Sequence, residues 1–230
     1  MAVNYRRDAE AAARTVADIA AAGGTARAFA GAVGAGDECA TLVTSVSAAF
    51  GPVDLLVNNG GIASRGRFVA DTDPGEVRAV MDTHALGVHD LCRLVLPGMR
   101  AAARGDIVMI SSVATDYLSP GSAPYAMAKA AMEALARTLA KEEGGHGIRV
   151  NIVAPGLVAT DMGDRLARAT AGAAGAADLD GATPLGRVCR PEDIADTVRF
   201  LVSDAAALIT GQRLAVDGGG LVSTLADVAH

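Results

Sequence analysis

The chain has 230 residues, a hydrophobic fraction of 51% and a formal net charge of −6. That is the size of one domain built as a single α/β unit, and its 3% aromatic content leaves Ala, Val and Leu to fill the core. The acidic balance argues against a nucleic-acid partner read through a basic stripe. No apolar run approaches the ~18 residues of a membrane span, and the N-terminus lacks the basic-then-apolar layout of a signal peptide.

Taken in chain order, the opening MAVNYRRDAEAAA ends a strand near 2–5, turns at Arg6 and Arg7, and enters an Ala-rich helix near 8–22. A basic pair at a strand end suits a phosphate, yet no glycine-rich loop stands before it. A second strand near 26–30 runs into AGAVGAGDE and a helix near 37–49. The glycines there, Gly31, Gly34 and Gly36, form a lone cluster and read as a plain turn. The third strand, near 53–57, ends in Asn58-Asn59-Gly60-Gly61, and one long helix follows near 76–100. A strand near 106–111 runs into Ser111-Ser112, and a helix near 122–143 carries YAMAK. The next strand, near 148–153, ends in Ala154-Pro155-Gly156. Leu157 to Pro184 is rich in Ala, Gly and Asp with a weak apolar pattern, which predicts a mobile helical flap at about 157–182 over a site. Pro191, Glu192 and Asp193 start a helix near 191–202, and a last strand near 212–216 ends in Gly218 to Gly220 with no helix to open.

Strand and helix in alternation predict parallel strands with helices on both faces. VDLLVNN and GDIVMISS are near-continuous apolar runs, as strands buried on both faces should be. Ligands of such sheets sit beyond the carboxyl ends of the strands, where the clusters at 58–61, 111–112 and 154–156 fall. Cys39, Cys92 and Cys189 are far apart and odd in number, which suits reduced cytoplasmic thiols and neither a disulfide framework nor a metal site. His84 and His89 lack the i, i+4 spacing of a helical zinc pair, so no metal is expected.

Tyr125 and Lys129 stand at i, i+4 on one helix face. An ammonium beside a phenol is expected to lower its pKa from about 10, so that the phenol exchanges a proton with a carbonyl or alcohol oxygen. Ser112, at a strand end, can hydrogen-bond the same oxygen.

These residues, with LVNNGG, IRVNIVAPGLVATDM and the stretch PLGRVCRPEDIADTVRFLVSDAAALITGQRLAVDGGG, resemble the short-chain dehydrogenase/reductase family from Ala2 to about Gly220. The likeness is strongest to its 3-oxoacyl-carrier-protein reductase branch. The resemblance implies a Rossmann-like doubly wound parallel sheet, N-terminally truncated, with the first strand and helix absent. It implies an oxidoreductase that interconverts a ketone and a secondary alcohol. Tyr125 is then the proton donor, Lys129 lowers its pKa and holds the nicotinamide ribose, and Ser112 orients the substrate oxygen. Asn58 and Gly60 flank the cofactor, while Pro155, Gly156, Val158 and Thr160 line its nicotinamide end. Arg6 with Arg7 takes a 2′-phosphate, which implies NADP rather than NAD, since neither Asn4 nor Tyr5 supplies the carboxylate that NAD enzymes place there. Implied partners are a small ketone or alcohol, an acyl thioester among them, and further copies of the chain. Self-association into a homodimer or homotetramer would use the helices at 76–100 and 122–143.

The chain departs from the family in several places. It starts at what resembles the second strand, so the first, with its phosphate loop, would have lain between strands 2–5 and 53–57. The gap closes if those two strands pair directly. Either Met1 is an internal residue of a longer enzyme or the chain is a degraded, non-catalytic homologue acting as an oligomer subunit or scaffold. Ala32 stands where an Asp usually meets the adenine. His84 replaces an Asn that feeds protons to the Lys, and is expected to be either a catalytic substitute or a packed helix histidine. Gly61 for Ala reads as a mild change, and Cys189 for Gly carries no assigned role.

Overall fold

The computed structural model describes residues 1–34 and 36–220. Ala35, within the glycine cluster, lies outside the described residues. Strand β1 (Ala2–Tyr5) leads through α1 (Ala9–Ala21) to β2 (Arg27–Ala30) and α2 (Gly36–Phe50). Next come β3 (Leu55–Asn58), α3 (Pro74–Met81), a π-helical turn over Asp82–Leu86 and α4 (Gly87–Ala102). Strand β4 (Gly105–Ile110), the short α5 (Ala114–Tyr117), α6 (Ala123–Glu143) and β5 (Ile148–Pro155) follow. The chain then runs through α7 (Asp161–Ala171) and α8 (Pro191–Leu201) to β6 (Arg213–Val216).

Strands β3-β4-β5-β6 form one parallel ladder, and β1-β2 form a second. Every residue of β4 is buried, as its unbroken apolar run requires of a strand covered on both faces. Helix α6 lays Met132, Ala136, Leu139 and Ala140 on the central cluster with Met99, Ile107, Met109 and Ile152. The direct pairing of strand 2–5 with 53–57 that would close the gap does not form among the described residues. Ala2 of β1 and Leu56 of β3 instead rest on one shared apolar cluster with Phe29, Cys39, Leu42 and Leu91. Helices α2 and α4, packed on each other, carry both ladders on that side without joining them. Because side chains alternate along a strand, Leu55 and Val57 face the other way, and they stay 41% and 38% exposed.

The glycines of AGAVGAGDE serve packing. Gly34 has φ +108°, and a Cβ there would lie 3.0 Å from the Asp82 carbonyl. A Cβ on Gly87 would lie 2.3 Å from the Gly34 nitrogen and 2.9 Å from Val33 Cγ1. The 33–34 turn thus presses on the start of α4, where two backbones approach too closely for a side chain. Gly→Ala inside a helix ordinarily stabilises by about 0.5–1 kcal/mol. Here the contact is with backbone, so Gly87→Ala is expected to destabilise by about 1–3 kcal/mol, read as a lower urea midpoint. An unchanged or raised midpoint would refute the close approach.

Candidate active site

The parallel order β3-β4-β5 brings the three polar clusters to one end of the sheet. The Ser111 N–H donates to the Val153 carbonyl at 2.7 Å and the Val113 N–H to the Pro155 carbonyl at 3.0 Å, so the Ser112 loop is laced to the end of β5. The Gly156 N–H donates to the Val216 carbonyl at 2.9 Å, and a Cβ on Gly156 would come 2.8 Å from Asp217 Cβ. Thr160 caps α7, its hydroxyl accepting from the Gly163 N–H at 3.2 Å. Val158 pairs in parallel with Cys189, whose thiol donates to the Val216 carbonyl at 3.0 Å. Cys189, given no role from sequence, therefore stitches residues 157–159 to the end of β6.

Helix α6 carries Tyr125 and Lys129 up to the Ser112 loop. Lys129 is 3% exposed, and its Nζ donates to the Ile110 carbonyl at 2.6 Å. It lies 5.6 Å from the Tyr125 ring centre. Burial lowers its pKa from the ordinary lysine value to about 8, against the opposing charge of Glu133. The expected acidification of Tyr125 by this lysine is not what the structure has. Burial pushes the phenol above its ordinary value, and the Ser112 hydroxyl beside it only partly offsets that. Both groups are buried, so each disfavours its own ion, and one N–H of the ammonium goes to a main-chain carbonyl.

His84 is 1% exposed and meets Tyr125 edge-on, with ring centres 5.4 Å apart. The π turn places it there by adding a residue to the helix, a device common at functional sites. Its Nε2 lies 3.1 Å from the Ile62 nitrogen and 2.8 Å from the Ile62 oxygen, and its Nδ1 is buried without a partner among the described residues. Burial first, then the Lys129 charge, lowers its pKa to about 4, so the ring is neutral. Gly61 is not the mild change expected: a Cβ there would lie 2.5 Å from His84 Cε1. The larger ring occupies the space an alanine methyl would need.

The residues expected to meet the cofactor lie in three settings. Asn58 turns inward, its Nδ2 donating to Met109 Sδ at 3.3 Å and Cys92 Sγ at 3.8 Å, while its Oδ1 is buried without a partner among the described residues. Gly60 faces open space, with nothing within 4 Å of an added Cβ. Arg6 and Arg7 line an open cavity of about 400 Å³ between β1 and α1, and neither makes an ion pair among the described residues. Asp8 is the one carboxylate lining that cavity, and it is engaged in capping α1 through the Ala11 N–H at 2.8 Å. Arg6 and Arg7, two guanidiniums outside any ion pair among the described residues, fit a phosphate group of a dinucleotide. The sequence reading does not single out Glu133 or Arg213, which the structure places directly behind Ser112. Glu133, at i+4 from Lys129, carried a spacing signal; Arg213 carried none.

A parallel sheet with Ser, Tyr and Lys gathered beyond its strand ends defines an α/β oxidoreductase. The family described as enoyl-(acyl carrier protein) reductase matches residues 1–220, and the chain belongs to the short-chain dehydrogenase/reductase family. A 3-oxoacyl-[acyl-carrier-protein] reductase of Synechocystis sp. is 39% identical over 218 residues, 94% of this chain and 85% of that protein. The crystal structure of a gluconate dehydrogenase from Agrobacterium tumefaciens, so named as a provisional assignment, superposes with a TM-score of 0.86 at 29% identity, over 95% of this chain and 84% of that one. A gluconate 5-dehydrogenase from Burkholderia cenocepacia, solved with NADP and tartrate, gives 0.83 at 30% identity, over the same 95% and 84%. The fold is accordingly Rossmann-like. No helix among the described residues is long and apolar enough to cross a membrane.

Proposed function

We propose that the chain reduces a ketone to a secondary alcohol with NADPH, and that the ketone is carried on a 3-oxoacyl thioester. The observation that carries this reading is the grouping of Ser112, Tyr125, Lys129 and His84 at the open end of the sheet. When bound, the nicotinamide supplies the hydride. Tyr125 gives its proton to the carbonyl oxygen: a phenol held above its ordinary pKa is fully protonated near neutrality, and so starts as an acid. The Ser112 hydroxyl donates to the same oxygen and holds it within reach. Lys129, cationic below about pH 8, stabilises the tyrosinate left behind. Pro155, Gly156, Val158 and Thr160 line the nicotinamide end, and residues 157–182 cover the substrate.

Arg6 supports NADP over NAD, because it offers an unpaired cation at the end of β1, while Asp8 beside it turns Oδ1 onto the Ala11 N–H as a helix cap. Arg6→Ala is expected to weaken NADPH binding about tenfold and leave NADH unchanged, measured by nicotinamide fluorescence on the full chain. Saturable enhancement by NADPH supports the enzyme, and a silent titration rejects it.

A second reading, a non-catalytic subunit or scaffold, draws on the separate β1-β2 and β3-β6 ladders and on the uncovered Leu55 and Val57. In either reading the chain works in the cytoplasm as a homodimer or homotetramer through α3, the π turn, α4 and α6, where Leu86 and Met127 are exposed.

A further inference from the structure

Behind Ser112 and Lys129 lies an ionic cluster that the proposed reaction leaves unused. Glu133, one turn beyond Lys129 on α6, is 5% exposed. Its Oε1 accepts from Ser111 Oγ at 2.7 Å, Thr115 Oγ1 at 3.0 Å and Arg213 Nε at 2.9 Å, and its Oε2 accepts from Arg137 at 3.1 Å. Arg213, the first residue of β6, turns Nη2 onto Asp116 Oδ2 at 2.7 Å, Thr115 Oγ1 at 3.1 Å and the Ser112 carbonyl at 3.3 Å. One guanidinium thus ties the Ser112 loop, α5 and α6 together. Burial alone would raise the Glu133 pKa, but hydrogen bonds from Ser111 and Arg213 and the Arg213 charge hold it below the ordinary carboxylate value. The cluster therefore keeps a fixed carboxylate one helical turn from the lysine.

We propose that Glu133 and Arg213 are positioning residues: together they fix the Ser112 loop against α6 and set the field in which the Lys129 ammonium sits. This rests on the reading of Ser112, Tyr125 and Lys129 as the reacting set. Few groups compete for that role. From β4, Lys129 meets the uncharged Ile110 carbonyl, and the π turn presents the neutral His84. On α6 it has the Tyr125 phenol and Glu133, and the charges of α5 and β6, Asp116 and Arg213, act through Glu133.

The chain has two lysines, Lys129 and the exposed Lys141, so lysine labelled with carbon-13 at Cε gives two assignable signals. Their pH titration by NMR on the ligand-free full chain reads the cluster without any turnover. Removing the carboxylate in Glu133→Gln should lower the Lys129 midpoint by about one pH unit and leave Lys141 unmoved. Removing the cation in Arg213→Gln leaves Glu133 less neutralised and should raise the Lys129 midpoint. Opposite movements support the proposal, since a merely structural role would not give them. An unmoved Lys129 midpoint in a folded Glu133→Gln overturns it. If that variant does not fold, Arg213→Gln decides alone: a rise supports the proposal, and no rise overturns it. Ketone reduction by the wild type is assayed separately, so a chain that shows the titration shifts and no turnover defeats the proposed reaction while still showing that Glu133 and Arg213 set the Lys129 field.

Discussion

Tyr125→Phe is expected to lower kcat for thioester ketone reduction by about 10²- to 10⁴-fold, the usual contribution of one positioned acid, and to leave the fold and NADPH binding in place. The argument is local. The substitution deletes one oxygen and keeps the ring that packs edge-on against His84. The two ionisable neighbours of Tyr125 are placed for other contacts: Lys129 Nζ donates to the Ile110 carbonyl, and His84 is neutral with Nε2 facing Ile62. The same geometry sets a pH dependence for the wild type. The phenol stays protonated well past neutrality, so it is not what titrates first. Lys129 loses its charge as pH rises through about 8, and with it the cation that offsets the developing tyrosinate. Reduction should therefore hold steady below that pH and decline above it. A Tyr125→Phe protein with wild-type kcat would remove the phenol from the mechanism, whatever else it touches.

How far the sequence was readable depends on the range of the physics involved. Tyr125 and Lys129 were legible because a four-residue spacing on an Ala-rich helix has one geometric meaning. The convergence of Asn58, Ser112 and Pro155 was legible because apolar runs joined by helices leave only a parallel sheet. What failed was set by tertiary burial. The phenol's pKa moved up, opposite to the expectation, because its burial outweighs the hydrogen bond from Ser112. The inward turn of Asn58 depends on two sulfur atoms, from Cys92 and Met109, that no local pattern announces. The π turn at Asp82–Leu86 falls within the one continuous helix expected near 76–100, yet it carries the buried His84. Arg213 enters the cluster from 80 residues beyond Glu133, a pairing that only the folded sheet brings about.

Gly61→Ala should damage the protein through a single added methyl. The added carbon would sit 2.5 Å from His84 Cε1, well inside contact distance, and the ring has little room to retreat in its buried position. Overpacking of this kind costs about 1–3 kcal/mol, so a clear drop in melting temperature is expected together with a loss of turnover. The decisive control is the double variant Gly61→Ala with His84→Asn. Nε2 of His84 faces both the Ile62 nitrogen and the Ile62 oxygen, and one ring nitrogen cannot accept and donate in the same tautomer. An asparagine amide has an oxygen for the first and an NH₂ for the second, and it is smaller than imidazole. The double variant should therefore regain the stability that Gly61→Ala loses. It should also change the pH profile of folding. With its folded pKa near 4 against an ordinary 6.5, His84 makes the unfolded chain bind more protons, so stability falls as pH drops from about 6.5 towards 4. That part of the acid dependence should vanish when His84 is replaced. If the double variant is no more stable than Gly61→Ala alone, the glycine and the histidine are not coupled, and the crowding at Gly61 has another source.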